Sequence, residues 1–181
     1  SVSCSSDRQV PAGLYNIDSV ISTQIGYLVE HEASIKKKAV LNGVETVTNG
    51  TPEDSTSWQK ELSIFLELDV LNKPINKGEY EVKQHADSKS NLKVKSFTTT
   101  EDLPVRFLKV YYRKSLSDLR KIEAQYREAN SLYSSTRLLT MEFENFRNRA
   151  ILSSYRIDGG QKMFLDDSVH YTIAATIDLK Q

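Results

Sequence analysis

The sequence contains very little cysteine, since Cys4 is the only one among 181 residues. A single thiol excludes an internal disulfide and a zinc site built from several cysteines. Excess charge of either sign is also missing, because 24 basic residues balance 24 acidic ones. The whole-chain basic character of many nucleic-acid-binding proteins is therefore excluded, and we expect no nucleic-acid partner. No apolar run reaches the roughly 18 residues that predict a membrane-spanning helix.

What remains is the composition of a folded protein. Hydrophobic residues make up 39% of the chain and charged residues 27%, which favours a packed core over disorder. The length fits one domain. We expect a short polar tether at residues 1–13 and a single domain at 14–181, with a helical and hairpin part at 14–74 and an antiparallel sheet at 79–181.

Apolar residues at helical spacing predict two helices in the first part of the domain. The first runs from its N-cap, Asn16, to about Ile35. The second opens at Thr51 as N-cap and ends near Leu71. The single Trp58 lies at the start of the apolar face of this second helix, where we expect a core aromatic.

Between these helices, Asn42-Gly43 is flanked by β-branched runs over Lys36 to Thr48. This dipeptide is the strongest short signal for a two-residue β-hairpin, because a type I′ turn needs two positive φ angles. A two-stranded hairpin is marginal alone, so we expect it to pair with the main sheet or to pack on the helices.

From residue 79 onward the apolar period changes from 3.6 to 2, which predicts seven or eight antiparallel strands. Asp158-Gly159-Gly160 is typical of a hairpin turn, and the last strand is expected at Val169 to Leu179. On that strand, Tyr171, Ile173 and Ile177 should face the core, and we expect the strand to lie at or beside a sheet edge. The predicted class is α+β: two N-terminal helices, separated by a small hairpin, pack on a curled antiparallel sheet.

The N-terminal segment places Cys4 among serines, in the sequence Ser1-Val2-Ser3-Cys4-Ser5-Ser6-Asp7. Small residues ending in cysteine resemble the end of a bacterial lipoprotein signal, and the segment from Cys4 to Asp7 is similar to the start of mature envelope lipoproteins of the Bacteroidetes type. This resemblance implies that Cys4 is acylated and anchors the protein in the outer membrane of the cell envelope. The alternative is an unmodified thiol in the N-terminal tail.

Recognisable catalytic and cofactor motifs are missing. His31, His85 and His170 fall in different elements and have no partner at metal-ligand spacing. Asp166-Asp167 lacks the spaced oxygen ligands of a calcium loop, although a calcium ion there stays an open alternative. We expect a protein that is not an enzyme and that has no cofactor and no metal.

Basic residues are concentrated between positions 105 and 127. One interpretation is the solvated face of a sheet, on which Lys and Arg oppose edge pairing. The other is a patch for anionic head groups, a glycan or an acidic partner. The patch consists of Arg106, Lys109, Arg113, Lys114, Arg120, Lys121 and Arg127.

Three functions follow from these features. The first is a lipid-anchored envelope protein that acts by binding, as an accessory or adaptor subunit of an outer-membrane complex. The second is a carrier of a lipid or acyl chain, because a half-barrel with helices as a lid can enclose an apolar ligand. Its predicted lining is Phe143, Tyr155, Tyr171 and Ile173. The third is an envelope enzyme whose polar groups converge in a pocket without forming a known motif.

Overall fold

The structure of the protein is a computed structural model that describes residues 14–181, so that Cys4 and the predicted tether at 1–13 lie outside the described residues. Its helical segments are α1 (Ile17–Glu30), α2 (Ser55–Glu61), α3 (Ser63–Leu66) and two 3-10 segments (Glu67–Asn72 and Pro74–Asn76). Its strands are β1 (Ser34–Leu41), β2 (Val44–Gly50), β3 (Glu81–Ala86), β4 (Lys93–Thr98), β5 (Val105–Tyr112), β6 (Leu119–Ala129), β7 (Tyr133–Phe146), β8 (Arg149–Met163) and β9 (Val169–Asp178).

All nine strands belong to one antiparallel sheet in the order β2-β1-β9-β8-β7-β6-β5-β4-β3. Strands β3 to β9 form an uninterrupted meander, and the β1–β2 hairpin joins it beside β9. The helical segments contribute to one apolar core with the sheet face that they cover. The α+β class is confirmed, whereas the sheet has nine strands because the predicted hairpin is part of it.

Helix α1 begins as predicted and ends early. The Asn16 side chain accepts a hydrogen bond from the Ser19 N–H at 3.0 Å, which is the expected N-cap. The helix stops at Glu30 and not near Ile35. Glu32 adopts a left-handed φ of 44°, and the Ala33 N–H donates to the Leu28 carbonyl at 2.9 Å, a Schellman-type ending that turns the chain into β1.

The second helical segment is shorter and more broken than predicted. Asp54, not Thr51, is the N-cap and accepts a hydrogen bond from the Ser57 N–H at 2.8 Å. Beyond α2 the chain continues through α3 into the first 3-10 segment, and the buried residues there, Phe65, Leu68 and Leu71, recur every third position. A spacing of three suits the 3-10 period better than the α-helical period. Trp58 is buried in the core as predicted, and its indole N–H has no acceptor among the described residues.

The Asn42-Gly43 turn is confirmed, with φ angles of 47° and 85°, and β1 pairs with β9 on its other side. The turn predicted at Asp158-Gly159-Gly160 is wrong, since these residues lie inside β8. Gly159 is paired with Tyr171 across to β9. The tyrosine ring covers the glycine so closely that a Cβ atom built there would lie 2.1 Å from the ring carbon Cζ. Gly159 therefore makes room for an aromatic neighbour, and neither glycine turns the chain.

Strand β9 has the predicted faces and a different place in the sheet. Ala175 and Ile177 are buried, and Tyr171 and Ile173 pack against the core. The strand lies between β1 and β8, so the expected edge position is wrong. The edges are β2 and β3, whose residues are all exposed, whereas β9 is paired on both sides from Tyr171 to Thr176.

One buried polar side chain compensates for the unequal lengths of the strands. The pairing of β8 with β9 starts only at Ser154, which leaves the first residues of β8 without a partner on that side. Gln24 of α1 takes that place: its amide donates to the Ala150 carbonyl at 2.9 Å and accepts from the Leu152 N–H at 2.7 Å. The side-chain amide thus satisfies two backbone groups of β8 that have no neighbouring strand to bond to.

Candidate binding site

The sheet face opposite the helices, here called the outer face, carries a row of paired residues across five strands. Strand register sets His85 against Val94, Val94 against Tyr111, Tyr111 against Lys121, and Lys121 against Glu142. Directly paired residues of antiparallel strands project to the same side of the sheet. The row therefore brings two aromatic or imidazole rings, a cation and a carboxylate together on one surface.

A cavity of about 580 Å³ lies over this row, which we call the outer-face cavity. The turn between β3 and β4 closes one side. Within it, the Asp87 N–H donates to the Leu92 carbonyl at 2.9 Å, and the Ser90 hydroxyl donates to the Asp87 carboxylate at 2.6 Å. The hydrogen bond from Ser90 lowers the pKa of Asp87, so this carboxylate is ionised at neutral pH and fixes the wall of the cavity.

The floor of the cavity is apolar, although it lies outside the main core. Val94 is 1% exposed and Tyr111 is 8% exposed. The Lys121 ammonium lies 4.2 Å from the centre of the Tyr111 ring, which is a cation–π contact. Burial raises the pKa of Tyr111, and the nearby charges of Glu123 and Asp87 raise it further. The phenol is therefore a neutral donor at physiological pH.

Arg120, which lines the cavity, has one guanidinium nitrogen in an ion pair and one without a hydrogen-bond acceptor among the described residues. One guanidinium nitrogen, Nη2, lies 2.8 Å from a carboxylate oxygen of Asp118. The other, Nη1, is buried and has no hydrogen-bond partner among residues 14–181. Leaving a buried donor of a charged group unpaired costs free energy. Because Arg120 lines the outer-face cavity, an acceptor that binds there and moves this side chain would recover it.

Charges of both signs surround this donor. Lys89, Lys109 and Lys121 contribute ammonium groups to the lining, and the carboxylates of Glu123 and Glu142 lie there as well. Neither Lys109 nor Lys121 forms an ion pair within 4.0 Å in the described part of the chain. Because carboxylates stand beside the cations, the cavity suits a single acidic group and disfavours a polyanion.

The structure divides the predicted basic patch into three parts. Lys109, Arg120 and Lys121 line the outer-face cavity. Arg113 and Lys114 are exposed in the loop that joins β5 to β6, at the same end of the sheet. The other two lie at the opposite end: Arg106 pairs with Asp102, and the N–H of the exposed Arg127 donates to the Pro104 carbonyl. The seven residues are not one continuous surface.

The inner face, on which the carrier hypothesis depends, is filled by the chain itself. Tyr155 is 4% exposed, its ring packs edge-on against Phe65 at 5.3 Å, and its hydroxyl donates to Glu61 at 2.7 Å. Phe143 is buried in the same core. Tyr171 and Ile173 are partly buried against this core as well, so that all four side chains predicted to line a lipid cavity take part in the packing of residues 14–181.

The three histidines fall in different parts of the fold, as the prediction of separate elements implies. His31 ends α1 and packs on the Phe146 ring, whereas His85 and His170 belong to β3 and β9. The Asp167 N–H donates to the Asp166 carboxylate in the loop after β8. Among residues 14–181, no group of three His, Cys, Asp or Glu side chains is placed to hold a metal ion.

Sequence reasoning missed several residues of the cavity, notably His85, Asp87 and Glu142. One signal did exist: Lys109 and Tyr111 are two residues apart, as are Lys121 and Glu123, so that within each strand both side chains lie on the same face. Their approach to β3 and β7 depends on strand register, for which the sequence carries no separate mark.

No helix in the described range is long and apolar enough to cross a bilayer. Comparisons of this chain with protein-family models, with curated proteins and with solved structures give no significant match.

Proposed function

We propose that this protein is a lipid-anchored protein of the cell envelope that acts by binding, as an accessory or adaptor subunit of an outer-membrane complex. In this proposal, Cys4 carries the anchor, and the outer-face cavity takes an acidic side chain of a partner protein. The observation that carries the binding role is the buried Nη1 of Arg120, which has no partner among residues 14–181, in a residue that lines the same cavity as Lys109 and Lys121.

The lining supports an acidic protein side chain over other anions. A cavity of about 580 Å³ is within the range of small-ligand sites, and its apolar floor can bury the methylene groups of a glutamate. The carboxylates of Glu123 and Glu142 would repel the second and third charges of a phosphorylated ligand. A partner segment in which an acidic residue stands beside a basic one would complement both the cations and the carboxylates of the lining.

Nuclear magnetic resonance of the full chain tests the binding role directly. A capped Glu-Lys dipeptide should shift the amide signals of Tyr111, Arg120 and Lys121, and a capped Gln-Lys dipeptide should not. Arg120→Gln or Lys121→Gln should abolish the shifts, whereas Lys114→Gln, a basic residue of the same segment outside the cavity, should leave them unchanged. Circular dichroism confirms that each variant is folded. Equal shifts with both dipeptides, or equal loss in the Lys114 variant, would refute the site.

Mass spectrometry of the protein from its native membrane tests the anchor independently. The expected result is an N-terminus at Cys4 that carries a diacylglyceryl group and an amide-linked acyl chain. A Cys4→Ser variant should be held far less strongly in the membrane fraction than the parent chain, since the buried acyl CH₂ groups supply most of the affinity. An unmodified Ser1 terminus would refute the anchor and leave the cavity hypothesis standing.

A further inference from the structure

One end of the sheet carries large apolar side chains on three adjacent turns. They lie in the β1–β2 turn, in the loop from β6 to β7, and in the loop from β8 to β9. Hydrogen bonds join these turns: the Phe164 N–H donates to the Leu132 carbonyl at 2.9 Å, and the Asn42 N–H donates to the His170 carbonyl at 3.0 Å. We call this set the apolar rim; its members are Leu41, Val44, Leu132, Phe164 and Leu165.

The exposure of the apolar rim is unusually high. Phe164 is 78% exposed and Leu165 is 92% exposed, so these two side chains project almost fully into solvent. Leu132 on the neighbouring loop is 67% exposed. Single exposed apolar residues are ordinary on protein surfaces, whereas a group of them on adjacent turns marks a contact surface.

The opposite end of the sheet has a different composition. Its β3–β4 turn contains Asp87, Ser88, Lys89, Ser90 and Asn91, and its β7–β8 turn is Arg147-Asn148. Leu116, in the third loop at that end, is 36% exposed. The fourth loop at the rim end, between β4 and β5, carries the exposed carboxylates Glu101 and Asp102, so the apolar character of this end is confined to the three turns of the rim.

The chain enters the domain at the rim end. Tyr15, just before α1, is fixed by two hydrogen bonds to the Asn72 side chain, and Asn72 lines a cleft with Tyr126 and Glu128 near the end of β6. The neighbouring Ile75 is 85% exposed. An anchor on Cys4 would be connected to this point by a segment that spans at most about 40 Å when extended.

We infer that the apolar rim inserts into the interfacial region of a lipid bilayer, with Phe164 and Leu165 as its deepest side chains. The inference deepens the proposed function and depends on it for the identity of the occupant, because an anchor near the rim would hold this end at the membrane. The apolar side chains project from separate turns. A bilayer can deform around such projections, whereas the flat surface of a partner protein cannot. The rim would then direct the polar end of the sheet, with the outer-face cavity, away from the bilayer.

Charge at the rim specifies the kind of lipid. Asp166 and Asp167 directly follow Leu165 and are exposed. Their carboxylates would lie among the head groups, where anionic lipid repels them and the ammonium group of a zwitterionic lipid attracts them. Binding should therefore need no anionic lipid and should change little with salt, in contrast to binding by a basic patch.

Tryptophan fluorescence of the full, unacylated chain tests this inference, with Cys4→Ser to prevent disulfide formation. Leu165→Trp should shift to shorter wavelength on addition of vesicles of phosphatidylethanolamine and phosphatidylcholine, and brominated lipid should quench it. Leu116→Trp at the polar end is the matched control and should show neither change; the buried Trp58 contributes the same background to both.

Flotation of the same chain with these vesicles gives a second measurement. Replacing both Phe164 and Leu165 by serine should reduce the bound fraction about tenfold, whereas Leu116→Ser should leave it unchanged. Equal shifts of both tryptophan variants, or an unaltered bound fraction in the double variant, would overturn the inference. So would a shift of Leu165→Trp that grows with protein concentration in the absence of vesicles, because the occupant would then be a second copy. None of these outcomes depends on acylation, which mass spectrometry decides separately.

Discussion

Two adjacent glycines of β8 allow a sharp test of how the sheet is packed. A Cβ atom at Gly159 would lie 2.1 Å from Cζ of the Tyr171 ring, whereas a Cβ atom at Gly160 would meet nothing closer than the Val169 carbonyl oxygen at 4.0 Å. Carbon atoms in contact are about 3.5–4.0 Å apart, so Gly159→Ala must displace the ring. We expect this substitution to lower the free energy of unfolding by about 1–3 kcal/mol. Gly160→Ala should raise it by about 0.5 kcal/mol, because it restricts the unfolded chain and meets no obstacle.

Urea unfolding followed by circular dichroism measures both changes, provided that the slope with denaturant stays constant. The cause is isolated by repeating Gly159→Ala in a Tyr171→Ala background, where the penalty should disappear since the ring is gone. If Gly159→Ala and Gly160→Ala are equally stable in the parent protein, the ring moves aside without cost and the reasoning fails. If the penalty persists without the ring, the backbone and not Tyr171 requires glycine.

The remaining predictions concern the two faces of β9, the Gln24 side chain of α1 and the buried tyrosines. Ile173→Asp should lower the free energy of unfolding by about 3 kcal/mol, since it places an unpaired carboxylate against the core. Thr172→Asp on the outer face should lower it by no more than about 1 kcal/mol, through repulsion from the paired Asp158; equal tolerance of both substitutions in urea unfolding would mean that the faces are wrongly assigned. Gln24→Ala should cost about 2 kcal/mol because two backbone groups of β8 lose their partner, and hydrogen exchange at the start of β8 should accelerate; unchanged exchange would contradict this role. Burial raises the pKa of Tyr80 to about 12 and also raises that of Tyr155, where the hydrogen bond to a carboxylate adds to the effect. Because these folded-state pKa values exceed the unfolded value near 10, stability is complete below about pH 10 and falls above it by up to about 1.4 kcal/mol per pH unit for each phenol. Phenolate absorbance during alkaline titration checks this, and ionisation near pH 10 with the fold intact would be the opposite result.

The sequence predicted those features whose cause is local. Asn16 caps α1 through its own side chain, and Asn42-Gly43 adopts the two positive φ angles that its residue types favour. The faces of β9 follow from strict alternation. The turn at Arg147-Asn148 also has two positive φ angles. It carries a weaker signal, because arginine is not a residue that favours this conformation.

Features whose cause lies elsewhere in the fold were not predictable. Gly159 lies inside a strand because the Tyr171 ring occupies the space above it, and nothing near Asp158 in the sequence announces that contact. The outer-face cavity likewise depends on register across five strands, so that the position of Arg120 relative to His85 follows only once the sheet is assembled. Local propensity and tertiary packing decide different parts of this molecule.

The pairing of β1 with β9 has a consequence for the order in which the molecule forms. Strands β3 to β9 are hairpin-connected, so each can add to its predecessor over a short loop, while β1 must wait for the last strand before it gains a neighbour on that side. Closing so large a loop is entropically expensive, and contacts between distant parts of a chain slow folding. The β1–β2 hairpin is therefore expected to dock last, after the meander. Until then, the side of β9 that β1 later covers is an open strand edge, and the nascent chain is most exposed to incorrect pairing in that interval.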